Sequence, residues 1–327
     1  MTEHLLLLWL LGFVVGVVGG FFGFGGSAIV TPALNILGYP MPIAIGTDLL
    51  HIFGKSLSAT AKHRQLGHLD WRVAGLLALG TIPGMEGAAQ LVRHLAQAGT
   101  VETAVRWVQL SVLTALAGVV LWEMLSARNG KQVAWRGILG RLPIPPRFDS
   151  PVSHLKGASV WGFLLLGLLT GFMAGIMGGG GGFIRVPAMI YLLGIPTKVA
   201  VGTDLVEVLL SAGYGAFTYA HKGFVDFPTA LVMLFGGALG ARLGAWATFY
   251  APSKQLRGFL GLLLTASAIS VAFKQFGVGG KAVPLAILLS ASLGITGFVL
   301  GVLWQGVVKA KGEGAVTASA WHGQKGG

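Results

Sequence analysis

About nine apolar blocks, each roughly 18 residues or longer, run along the chain at 5–37, 43–61, 73–92, 104–126, 157–195, 198–220, 227–250, 256–273 and 282–308. A chain of 327 residues cannot bury that many apolar helices in one interior. Only 10% of its residues are charged, whereas a soluble domain averages about a quarter. The fold class that follows is an all-α polytopic membrane protein with the lipid bilayer as its surroundings. A β-barrel would show alternating segments of about 10 residues instead.

The formal net charge is +12. In a soluble protein such a balance points to nucleic acid, but here Lys and Arg sit mostly between the apolar blocks. They therefore report topology, since positive loops stay in the cytoplasm, and no nucleic-acid partner is expected. The chain has no cysteine, which excludes disulfides, thiolate metal sites and a Cys nucleophile. The first block lacks a basic leader and a small-residue cleavage site, so it reads as a first membrane segment.

Two blocks are too long for one crossing. At 1.5 Å per residue, 5–37 would reach about 50 Å and 157–195 about 58 Å, against a hydrocarbon core of about 30 Å. Glycines interrupt both: Gly19, Gly20, Gly23, Gly25 and Gly26 in the first, Gly178 to Gly182 in the second. Each long block is predicted to be two helical pieces joined by an unwound stretch. The segment 127–156 carries six Lys or Arg residues (Arg128, Lys131, Arg136, Arg141, Arg147 and Lys156) with Pro143, Pro145, Pro146 and Pro151. It reads as a cytoplasmic basic linker.

The two sides of that linker repeat each other. Gly12, Gly16 and Gly20 recur at one constant offset as Gly167, Gly171 and Gly175, and Pro32 recurs as Pro187. With one residue inserted, Thr47-Asp48 recurs as Thr203-Asp204, Gly67 and Asp70 as Gly223 and Asp226, and Gly80 and Gly84 as Gly236 and Gly240. The organisation is a first transmembrane repeat at 1–126, the linker at 127–156, a second repeat at 157–275, an additional span at 276–308 and a disordered tail at 309–327. About 9–11 membrane segments result. The distribution of Lys and Arg near span ends, with the linker inside, favours inverted over parallel repeats.

At about 100° per residue, Asp48, His51 and Lys55 share one face of an otherwise apolar helix. Asp204, Glu207 and Ser211 occupy the matching positions in the second repeat. Ionisable groups within membrane spans are costly and usually mark a pathway, although they can also lock helices together. The glycine breaks are the second constellation. Helix N-termini at such breaks suit anions, and Arg185 lies just past the second one. The spaced glycines, by contrast, read as close-packing positions. No Gly-Lys-Ser/Thr follows the glycine run, so it is not a P-loop. The histidines His51, His63 and His68 have no diagnostic metal spacing, and the Lys62-His63-Arg64 run reads as loop charge.

The pair "GFFGFGGSAIVTPAL" and "GIMGGGGGFIRVPAM", each followed by "GTDL", resembles the TauE/SafE family of sulfite exporters over nearly all of 5–275. That resemblance implies a multi-pass secondary transporter of the cytoplasmic (inner) membrane, without cofactor or catalytic residues. It implies sulfite, a sulfonate or a related small anion as cargo. The expected anion site lies between the repeats. It comprises backbone at Gly25, Gly26, Gly180, Gly181 and Gly182, with Ser27, Thr47, Lys55, Arg185 and Thr203. Asp48, His51, Asp204 and Glu207 are expected as proton-coupling groups or structural anchors, with the two aspartates facing each other across one site. No metal is expected, and self-association stays open, as do an anion channel and an importer of another small anion.

Overall fold

A computed structural model describes residues 2–23, 27–128, 137–138, 144–178 and 181–323. Side chains are described for the same residues apart from 2–4, 27–28, 123–124, 126–128, 253–254 and 309–323. Each repeat contributes five helices. The first has α1 (Thr2–Phe22), α2 (Ser27–Leu37), α3 (Met41–Gln65), α4 (Trp71–Gln97) and α5 (Val101–Arg128). The second has α6 (Val160–Met177), α7 (Gly182–Tyr191), α8 (Thr197–His221), α9 (Phe227–Tyr250) and α10 (Ser253–Gln275). A final helix, α11 (Ala282–Gly323), continues past residue 309, where the sequence predicts a disordered tail. Seven of these helices are long and apolar enough to cross a membrane. α3, which carries the polar stripe, is not among the seven. Large apolar side chains such as Leu79, Phe217, Phe235, Leu239 and Trp304 face outward, as a lipid-facing surface requires.

The long blocks are broken as predicted. α2 has 11 residues and α7 has 10, so each is only about 15–17 Å long. α1 ends at Gly23 with φ 86°, and α7 starts after Gly181 with φ 75°. Both angles lie in the left-handed region that glycine alone enters freely. The breaks also dock on the opposite repeat. A Cβ at Gly23 would reach backbone atoms of Val201 in α8, and one at Gly178 would come 2.8 Å from the Ile45 Cα in α3.

The glycine ladders hold the two repeats together. Gly12, Gly16 and Gly20 of α1 abut the backbone of Met233, Gly237 and Ala241 in α9. Gly236, Gly240 and Gly244 of α9 return the contact at Trp9, Phe13 and Val17. The same arrangement joins α4 to α6: Gly167 and Gly171 meet Leu77 and Thr81, while Gly80 and Gly84 meet Leu164 and Leu168. Both pairs advance in the same direction, so the helices run parallel. The first helix of each repeat is thus packed into the other repeat, backbone against backbone, as small residues allow.

α3 and α8 cross at the centre in the opposite sense. Gly46 meets Tyr219, Leu49 meets Gly215 and Phe53 meets Gly213. One helix ascends while the other descends, although the two occupy equivalent places in the repeat.

The end of the basic linker is ordered. β1 (Arg147–Ser150) and β2 (Leu155–Ser159) form an antiparallel hairpin running into α6. The hairpin docks on the α3–α4 turn. The hydroxyls of Ser150 and Ser153 donate to Asp70 Oδ2, the latter over 2.5 Å. Asp70 also caps α4, accepting from the N–H groups of Arg72 and Val73.

Candidate functional site

The "GTD" motif divides into two jobs. Its threonine is a clamp between repeats. The Asp226 N–H donates to Thr47 Oγ1 over 2.9 Å, and the Asp70 N–H donates to Thr203 Oγ1 over 3.0 Å. Asp70 and Asp226 are themselves the caps of α4 and α9. The glycine before each threonine makes this possible, because Gly46 lies against the Phe224 carbonyl and Gly202 against that of His68. Thr47 and Thr203, expected at the anion site, thus each accept a backbone hydrogen bond that holds α3 and α8 to the opposite repeat.

The aspartate of each motif reaches the short helix after the break. Asp48 Oδ2 accepts from the Thr31 hydroxyl of α2 over 2.9 Å. Asp204 Oδ1 accepts from Arg185 Nε of α7 over 2.5 Å. All four side chains are fully buried. One carboxylate thus fixes each half-length helix, whose own backbone bonds are too few to hold it in place.

From these anchors the two repeats diverge. In the first, His51 Nδ1 lies 3.6 Å from Asp48 and 3.4 Å from Lys55 Nζ, forming a string along α3. A Cβ on Gly237 of α9 would come 2.5 Å from His51 Nε2, so α9 walls this string. In the second, Arg185 is the hub. Its Nη2 pairs with Glu207 Oε2. Its Nη1 donates to Thr81 Oγ1 at 3.3 Å and Thr170 Oγ1 at 3.4 Å. Those threonines come from α4 and α6, and each sends its own proton to a carbonyl one turn back. The Ser211 hydroxyl donates to Glu207 Oε2 over 3.5 Å. Arg185 Nη1 also sits 3.4 Å from where a Cβ on Gly181 would be, so the guanidinium lies over the glycine break.

The two aspartates do not share a site. On α3 the residues facing α8 are Gly46, Leu49 and Phe53, and Asp48, His51 and Lys55 lie on the roughly opposite side. Because α3 and α8 run in opposite senses, Asp48 is level with the end of α8. It lies roughly 20 Å along the axis from Asp204. One polar string is lined by α2, α9 and the Gly178 end of α6, the other by α4, α7 and the middle of α6. The expectation of two aspartates facing each other fails because helix spacing fixes a face but not the neighbour across from it.

Of the remaining expected residues, Gly181 and Gly182 form the start of α7 beneath Arg185. Gly25, Gly26, Gly180 and the Ser27 side chain lie outside the described residues. Lys55 belongs to the Asp48 string, away from Arg185. Three polar contacts were not anticipated. Thr31, Thr81 and Thr170 are single threonines in apolar helices, a pattern that does not by itself point to a partner. His63 is fully buried instead of lying in a loop, with Nε2 3.4 Å from the Gly20 carbonyl. Its counterpart Tyr219 donates to the Gly175 carbonyl over 2.7 Å, and Gly20 and Gly175 are themselves repeat partners. Glu86 pairs with Lys222 at 3.7 Å and accepts from Tyr214.

Such paired broken helices, crossed central helices and a buried arginine over a break are what known relatives can be compared against. The family model described as "Sulfite exporter TauE/SafE" matches residues 8–271. The chain belongs to this family. It is 27% identical to the probable membrane transporter protein YjnA of Bacillus subtilis (strain 168), over 72% of this chain and 87% of the relative. A probable membrane transporter protein of Xylella fastidiosa (strain Temecula1 / ATCC 700964) is 30% identical, over 82% of this chain and 93% of the relative. A probable membrane transporter protein of Methanocaldococcus jannaschii is 26% identical, over 80% and 94%. No solved structure matches. Family membership covers both broken helices and the whole Arg185 cluster. It makes the chain a multi-pass membrane transporter with a small-molecule substrate.

Proposed function

We propose that this transporter is a secondary-active carrier of small anions, sulfite and organosulfonates first among them, exported across the cytoplasmic membrane. The observation that carries this reading is Arg185. It is a fully buried cation, centred among four helices and set over a glycine break beside the N-terminus of α7. A guanidinium and free helix N–H groups together recognise an oxyanion. The name of the family model supports sulfur oxyanions as cargo, and the relatives' names support a carrier rather than an enzyme.

Alternating access would come from inverted repeats. The opposed run of α3 and α8 and the exchange of α1 and α6 between halves support that arrangement. The basic residues of 127–156, with Lys309 and Lys311, support a cytoplasmic side for the linker and the C-terminal region. The test is flux in proteoliposomes loaded with sulfite or a series of alkanesulfonates, with and without a proton gradient. Saturable efflux of at least one of them is expected and separates a carrier from a channel. If no anion moves under any condition, the reading falls.

A further inference from the structure

The Arg185 cluster contains one cation and two acids, and the two acids are not equivalent. Asp204 has a twin in Asp48, and both do the same work of anchoring the short helix after a break. Glu207 has none, since the first repeat has His51 in its place. Asp204 is therefore part of the scaffold, and Glu207 is an addition peculiar to the second repeat.

Two carboxylates on one guanidinium leave one negative charge in excess where every side chain is fully buried. A further anion can join this cluster only if one of the two carboxylate charges is first removed, and a proton is the smallest partner that removes it. Each acid engages Arg185 through one oxygen. The other oxygen, Asp204 Oδ2 or Glu207 Oε1, is buried with no hydrogen-bond partner among the described residues. Glu207 also has somewhere else to go, because Ser211, one turn further along α8, already donates to it. The charged and titratable groups that face Glu207 are Arg185 from α7 and Asp204 from α8. α4 and α6 present only the hydroxyls of Thr81 and Thr170.

We propose that Glu207 is a built-in surrogate for the transported anion, and that a proton on Glu207 is what vacates Arg185 for the cargo. A proton from the aqueous side joins the Glu207 carboxylate and makes it a neutral carboxyl. It then leaves Arg185 Nη2 and rests on Ser211, and Nη2 donates to the incoming anion instead. Asp204 stays on Nε throughout. Net charge in the cluster is the same before and after, because the anion replaces the carboxylate charge that the proton removed. Proton and anion thus bind together and cross in the same direction, one proton for each anion that enters. The cluster assigns Glu207 as a positioning and coupling residue for Arg185.

This inference rests on the anion-carrier reading, and one experiment tells the two apart. Purified protein is reconstituted with a pH-sensitive dye inside the vesicles, and sulfite and several alkanesulfonates are added outside. Alkanesulfonates stay ionised, so any proton they bring must come through the protein. In the unmodified protein, internal acidification should accompany uptake. Uptake should fall by up to about tenfold per pH unit above the titration of Glu207. Glu207→Gln should lose the acidification that accompanies each anion and the pH dependence of whatever anion uptake it retains. Glu207→Asp, which keeps the titrating group, should keep both. The proposal is overturned if Glu207→Gln still carries protons with the anion, or if the unmodified protein moves protons against it. It is overturned as well if Glu207→Gln moves no anion while Glu207→Asp does, because the carboxyl is then needed for binding itself. Transport of no anion by the unmodified protein would remove the carrier reading and this inference together.

Discussion

The two repeats share a skeleton and differ in where they keep their cation. In the first, Lys55 lies on the same helix as Asp48, so α3 holds a string that balances itself, and α2 contributes, among its described side chains, the Thr31 hydroxyl. In the second, the cation is Arg185 on α7, and it binds two acids on α8. The short helix of the second repeat is consequently tied to the centre by charge, and that of the first by one neutral donor. A duplicated scaffold has thus kept its clamps and ladders on both sides while placing a buried arginine between helices on one.

The sharpest way to break this comparison is to remove the two cations in turn. Arg185→Ala leaves Asp204 and Glu207 buried without a counter-ion, and breaking a buried pair in this way costs about 3–5 kcal/mol. Lys55→Met leaves Asp48 with the Thr31 hydroxyl and should cost clearly less. Thermal unfolding in detergent should rank them in that order, and flux should vanish in the arginine variant. Equal losses would mean that the two strings are interchangeable.

The ladders should show the opposite, which is symmetry. A Cβ at Gly16 or Gly171 would collide with the backbone of α9 or α4, so neither site can relax by moving a side chain. Gly16→Ala and Gly171→Ala should each cost about 1–3 kcal/mol as overpacking. If only one of them destabilises, the two helix exchanges are not equivalent.

Much of this skeleton can be read in the sequence. The glycine spacing gives the ladders, the glycine runs give the breaks, and the recurrence of Thr-Asp gives the repeat. The partners cannot be read. Gly16 fixes a narrow face on α1, but nothing in its spacing says that the face meets α9 rather than a helix of its own repeat. The same limit hides the role of Thr47, whose acceptor oxygen serves a backbone N–H about 180 residues away. Asp70 and Asp226 carried a usable signal. Each is an aspartate just before a helical run, where a side-chain carboxylate accepts the first free N–H groups. Arg185 was legible as a buried charge because an arginine within an apolar block is costly in lipid and turns to the bundle interior. Its partners Thr81 and Thr170 were not, since a threonine in an apolar helix is ordinarily satisfied by its own helix.

The threonine clamps offer a finer test of symmetry. Thr47→Val and Thr203→Val remove the acceptor of a backbone N–H while keeping side-chain volume. Each should cost about 1–3 kcal/mol if the N–H is left buried and unpaired. Asp70 is fully enclosed and Asp226 only partly, so Thr203→Val should be the more damaging. A larger loss from Thr47→Val would reverse that reading of the two turns.

The smallest expected effect belongs to the linker hairpin, and it tests the contact that the α3–α4 turn makes with that hairpin through Asp70. Ser150 and Ser153 both donate to Asp70 Oδ2, while Oδ1 keeps the cap of α4. Ser150→Ala or Ser153→Ala leaves the other hydroxyl in place, so either alone should cost under about 1 kcal/mol. The double variant strips Oδ2 of both and should cost more than the two singles added together, because only then is a buried carboxylate oxygen left bare. Hydrogen exchange of the Arg72 and Val73 amides would show where the loss falls. If the hairpin only covers the turn, those amides stay protected. If it positions Asp70, they exchange faster, and the Thr203 clamp that depends on the same residue loosens with them.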